Sequence, residues 1–211
     1  MSSIILIPII ISSVSLIASV LTFYLTQLKP SNISVLIGPD IAVYHAVNPE
    51  LFTGVCVPMT FINTSPNMGT VFRCAVSIFR TDEPEQRFFM IWFDFLKTNA
   101  DREWKHDGDA HSFAVSGKTS ISKIAKFAWH EESNPKLCFK KGSYTLVVHL
   151  WIDKNRKPKN TTFNFHIAQS DDEVLQKRID SKSTDTYWIS LNKDFDRNKV
   201  LTIHEYKVLL E

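Results

Sequence analysis

Residues Tyr144 to Asp153 read YTLVVHLWID, with Tyr144, Leu146, Val148, Leu150 and Ile152 on one parity and Thr145, Val147, His149 and Trp151 on the other. Side chains of an extended chain alternate between faces, so this run predicts a strand with one buried face. The polar turn Lys154 to Asn160 (KNRKPKN) follows, and Thr161 to Ala168 (TTFNFHIA) places Phe163, Phe165 and Ile167 on one face. The two runs together predict a hairpin. Working upstream, Ile33 to Ile37 and Ile41 to Val47 read as strands broken by Gly38-Pro39-Asp40, which is turn chemistry. Val55 to Asn63 (VCVPMTFIN) alternates, and Asn63 to Gly69 (NTSPNMG) turns the chain into Thr70 to Arg80 (TVFRCAVSIFR), a second expected hairpin. Phe88 to Leu96 (FFMIWFDFL) is apolar on both parities, with a length that also suits a buried helix, and its aromatic content favours a strand covered on both sides. Thr98 to Ser112 is polar and reads as a loop, with weaker strands near Phe113-Val115 and Ser120-Phe127.

Many short strands without intervening helices predict a mainly β, antiparallel sandwich. The run Phe139 to Leu146 (FKKGSYTL) resembles the tyrosine corner of immunoglobulin-like domains. Tyr144 stands at the corner after Gly142-Ser143, and Leu146 stands where antibody domains carry the second cysteine of their disulfide. The resemblance implies an Ig-like or fibronectin-type β-sandwich over residues 31–168. The chain lacks the Cys…Trp…Cys frame, and the resemblance implies no function.

Ahead of that domain, Ile4 to Leu25 (IILIPIIISSVSLIASVLTFYL) is uncharged, and the first charged side chain is Lys29. Its 22 residues make a helix of roughly 33 Å, against about 30 Å of bilayer hydrocarbon. A cleaved signal peptide calls for an early Lys or Arg and a shorter apolar core. The expected organisation is a transmembrane anchor over 1–28, the sandwich over 31–168 and a short helical tail over 169–211. Lys29 is the only basic residue close to the span, a slight lean toward a cytosolic C-terminal domain. The cysteines Cys56, Cys74 and Cys138 are odd in number, and parity puts Cys56 and Cys74 on opposite faces, which favours a reducing compartment. Against it stand the sequons at Asn32, Asn63 and Asn160. The formal charge of +2 is spread evenly, which indicates no nucleic-acid partner.

In the tail, Ser170 to Ser181 (SDDEVLQKRIDS) has acids early and bases late, as a short helix prefers. Asp194 to Glu205 (DFDRNKVLTIHE) resembles an EF-hand calcium loop. The resemblance implies oxygen ligands from Asp194, Asp196, Asn198, Thr202 and Glu205 and from the Val200 carbonyl, with Trp188, Ile189 and Leu191 in an entering helix. Lys199 stands where the family has glycine, and the same spacing also suits a polar turn before a terminal helix. His106-Asp107-Gly108-Asp109-Ala110-His111 offers donors for a divalent metal, or a solvated loop. Lys154, Arg156, Lys157 and Lys159, with Lys136, Lys140 and Lys141, suit anionic headgroups or a solvated hairpin tip. His149 and His166 read as structural. No nucleophile elbow, phosphate loop or HExxH motif is present, so no small-molecule substrate is identified. The expectation is a single-pass, non-catalytic binding or scaffolding protein with the lipid bilayer and a membrane protein as partners. The alternative is a calcium-responsive membrane sensor.

Overall fold

The computed structural model describes residues 2–47, 50–99, 104–130, 132–153 and 157–191, with side chains from Ile9 onward. Helix α1 (Ser2–Phe23) continues into a π-helical turn, Tyr24–Leu28. The next strands are β1 (Ile33–Ile37), β2 (Asp40–Val47), β3 (Leu51–Asn63), β4 (Gly69–Val71) and β5 (Arg73–Arg80). Then come β6 (Phe88–Thr98), β7 (Trp104–Asp109), β8 (Phe113–Val115), β9 (Ser120–Trp129), β10 (Gly142–Trp151) and β11 (Lys159–Ile167). Helix α2 (Gln169–Asp180) and β12 (Tyr187–Ser190) complete the described chain.

The main sheet runs β11-β10-β5-β6-β9-β3-β2-β12, with β1 alongside β3, β7 alongside β6, and β4 paired with β8 apart from it. All its ladders are antiparallel, and the end strands β11 and β12 approach each other, so the sheet nearly closes into a barrel. An Ig-like sandwich over residues 31–168 has two separate sheets, whereas these strands share one hydrogen-bonded path. β6 makes the path continuous, because Phe88 to Ile91 pair with β5 while Trp92 to Leu96 pair with β9. A bulge between Trp92 and Asp94 marks the change of partner and bends the strand.

β10 runs between β11 and β5. Its Tyr144, Leu146, Val148 and Leu150 are buried against Cys74, Val76 and Ile78 of β5 and Phe165 and Ile167 of β11. The Tyr144 hydroxyl closes the corner on Lys140, donating to its carbonyl at 3.0 Å and accepting from its N–H at 2.9 Å. Gly142 opens the strand at φ +149°, a conformation that side chains rarely adopt. At the same end α2 buries Leu175 against the core; Asp171 accepts the Ala168 N–H at its start, and Asp172 accepts that of Lys141. The opposite end is where α1 emerges, and four residues, Lys29 to Asn32, join it to β1.

Several local expectations are corrected by long-range pairing. Thr70 to Arg80 breaks at Phe72, whose N–H bonds the Trp151 carbonyl, and the two pieces join β8, β6 and β10 rather than β3. The expected loop Thr98 to Ser112 contains β7. β6 is covered on its inner face alone; outward Phe89, Ile91 and Phe93 are 47%, 45% and 48% exposed. Trp188 and Ile189, expected in an entering helix of the EF-hand-like segment, lie instead in β12, hydrogen-bonded to β2, so the sheet draws in residues beyond Ala168.

Candidate functional site

The outer face of the barrel carries a charged row built from strands distant in sequence. Register aligns Trp188, Ala42, Cys56, Lys126, Asp94 and Asp109 across β12, β2, β3, β9, β6 and β7. Lys126 is its hub. Its ammonium lies 3.5 Å from Asp94 Oδ2, 5.8 Å from the Tyr44 ring centre and 5.5 Å from that of Phe93. Burial opposes its charge, but Tyr44 and Asp94 more than offset that, and its pKa is held above the ordinary lysine value. The Tyr44 ring can lie over β3 because residue 54 is glycine; a Cβ there would sit 2.1 Å from the ring.

His106 lies between two carboxylates, with Nδ1 3.7 Å from Asp94 and Nε2 3.9 Å from Asp109. Of the sequence segment His106 to His111, the structure brings His106 and Asp109 together and adds Asp94 from β6. Asp107 turns away to Lys97 at 3.2 Å and Lys123 at 3.4 Å, which hold its carboxyl below the usual range. His111 turns to the Asp109 carbonyl at 2.8 Å and to the Phe95 ring. Asp94, His106 and Asp109 supply donor types suited to a divalent cation. Lys126 competes for Asp94, and the two nitrogens of one imidazole face different acids, which matches a clasp between β6 and β7 better than one shared ion.

Cys56 sits in this row at 3% exposure, and burial pushes its thiol up to about 12 against the pull of Lys126. A thiol so protonated is a poor nucleophile at neutral pH. Cys74 lies on the other face, 3.9 Å from the Met59 sulfur, as parity predicts, and all three cysteines are free.

The other candidates divide. His149 is held between Ser77 at 2.7 Å and Asn160 at 2.8 Å, and His166 reaches Ser143 at 3.3 Å, which are structural contacts. Lys136 pairs with Glu50, and Lys159 Nζ donates to Asn32 Oδ1 at 2.7 Å. Lys154, Arg156 and the loop ligands Asp194, Asp196, Asn198, Val200, Thr202 and Glu205 lie outside the described residues. Sequence reasoning missed Tyr44, Asp94 and Lys126; the available signal was an aspartate inside the apolar run FFMIWFDFL. A second outer feature is a groove of about 380 Å³ beside Phe89, Ile91, Phe93, Ala128, His130 and Ser133.

No family model matches this chain, and no curated protein matches it. Among solved structures it is similar to a candidate lipoprotein from Bacillus subtilis, at TM-score 0.35 and 14% identity over 84% of this chain and 51% of that one. It thus spans about half the length of the Bacillus protein. A protein from Archaeoglobus fulgidus gives TM-score 0.32 and 8% identity over 81% of this chain and 98% of that one. A family 123 glycoside hydrolase from Clostridium perfringens gives 0.31 and 10% over 64% and 27%. Likenesses this distant carry no argument about chemistry.

Proposed function

We propose that this protein is a single-pass, membrane-anchored β domain that presents a binding surface rather than catalysing a reaction. The observation that carries the reading is α1 with its π-helical extension. Its segment Ile9–Leu28 has a mean hydropathy of 2.0, and none of it is buried. An uncharged helix that covers no core of its own protein finds its apolar surroundings in a bilayer. Ser13, Ser19 and Thr26 return their hydroxyls to carbonyls one turn back, so their polar groups do not oppose insertion. On fractionation the full chain is expected in the carbonate-resistant membrane pellet. An Ile10→Lys/Leu16→Lys variant is expected to leave that pellet, and a parent chain recovered in the soluble fraction would overturn the anchor.

The open stripe Phe89, Ile91 and Phe93 on β6, with its groove, supports a protein partner. A Phe89→Ser/Ile91→Ser/Phe93→Ser variant is expected to lose a stoichiometric companion that the parent retains in mild detergent. Identical recovery with both chains would sink this surface as the contact. A cytosolic domain is the reading that the three free cysteines support. The buried Asn63 supports it too, since a glycan has no access to that side chain in the folded domain.

A further inference from the structure

We propose that the end of the barrel from which α1 emerges is a docking face for anionic lipid headgroups, formed by Met68 together with Lys29, Lys118 and Lys157. The inference rests on the reading of α1 as a bilayer span. The four joining residues reach at most about 14 Å even when extended, and here they are clamped. The Lys29 carbonyl accepts from Ser65 Oγ at 2.7 Å and Asn67 Nδ2 at 3.1 Å, and the Asn32 carbonyl accepts from the Thr64 N–H at 3.1 Å. The end of the helix is thereby bound directly to the turn over 64–68, and that turn is brought to the headgroups wherever α1 spans.

A second turn, 116–119, is locked to the first by the Lys118 N–H donating to the Ser65 carbonyl at 2.8 Å. Lys159, the first residue of β11, reaches the same end through Asn32 and the Ile33 carbonyl, and exposed Lys157 lies two residues before it. The segments 29–32, 64–68 and 116–119 contain no Asp or Glu. The opposite end carries Asp82, Glu83 and Glu85 in one turn and Asp171, Asp172 and Glu173 in α2. Met68 is 66% exposed, the placement expected of a side chain that meets lipid rather than the core. Lysines held this close to a charged leaflet lie within about one Debye length, roughly 8 Å, where their attraction is little screened.

The test uses the full chain in nanodiscs, with Cys138→Ser removing the half-buried thiol and an environment-sensitive NBD probe on Met68→Cys or, at the far end, Glu83→Cys. In phosphatidylserine-containing discs the probe at 68 is expected to emit to the blue and to be quenched severalfold more by headgroup-region spin-labelled lipid than the probe at 83. Phosphatidylcholine discs, or Lys118→Glu/Lys157→Glu in either disc, are expected to return it toward the aqueous signal. Co-elution with lipid but an aqueous probe at 68, or a signal indifferent to lipid charge and to the lysine reversals, overturns the docking face alone. Failure to co-elute overturns the anchor and this proposal with it.

Discussion

His45 is buried with its ring edge-on to Phe139, and its Nε2 has no hydrogen-bond partner. Burial lowers its pKa from 6.5 to about 4. As pH falls the unfolded chain therefore binds the proton first, so the stability is whole above pH 6.5 and drains away as pH drops toward 4. The difference corresponds to about 3 kcal/mol at its limit. Denaturant unfolding at neutral and acid pH should show His45→Leu losing less stability than the parent over this window; parallel losses would remove His45 as the cause. Asn63 is the other decisive single residue. Its side chain accepts from the Ser65 N–H at 3.0 Å and donates to the carbonyls of Asn67 at 2.8 Å and Val115 at 3.1 Å. Asn63→Ala leaves buried backbone groups unpaired and is expected to cost about 3 kcal/mol, read as a lowered thermal midpoint. A change below about 1 kcal/mol would show that water replaces it.

At the scale of elements, the turns 64–68 and 116–119 touch at Gly117. A Cβ on that residue would stand 1.7 Å from the Pro66 carbonyl oxygen, and the obstacle is backbone, which does not swing aside. Gly117→Ala is expected to destabilise by roughly 3 kcal/mol and to speed hydrogen exchange at the Lys118 amide. Unchanged exchange there would mean that the turns separate without cost. β12 bears on the calcium reading. With Tyr187 to Ser190 extended against β2, the segment that would enter an EF-hand is engaged as a strand. Titration of the full chain in detergent with millimolar calcium is expected to give no heat. A heat abolished by Glu205→Ala would restore Asp194 to Glu205 as a site.

For the whole molecule, the proposed reading of α1 as a bilayer span carries a testable consequence, a fixed sidedness of the β strands that follow it. Cys56 is a poor reporter of it, being enclosed and with its thiol pushed up to about 12. Glu83→Cys, exposed at the end far from α1, is the better one. An impermeant maleimide is expected to label it after lysis and not on intact cells. Labelling on intact cells would place the domain outside. The charge distribution works at the same scale, since the turns 64–68 and 116–119 at the α1 end hold no acid, while Asp82, Glu83, Glu85 and the acids of α2 lie at the other end.

The sequence alone determined the apolar helix, β1 and β2 with their Gly-Pro break, the β10–β11 hairpin and α2. Each rests on local chemistry: an unbroken uncharged run, a turn, strict alternation, or acids at a helix start. Beyond that hairpin, the tertiary structure alone decided which strands are neighbours. Alternation states which face of a strand is buried and is silent on what lies beside it. Hence β7 hid in a polar stretch, β12 in an expected helix, and a nearly closed sheet stood where a sandwich was expected. The Asp94–Lys126–Tyr44 group was invisible for the same reason. Its members come from β6, β9 and β2, and only the register of ladders closed across long stretches of chain sets them side by side.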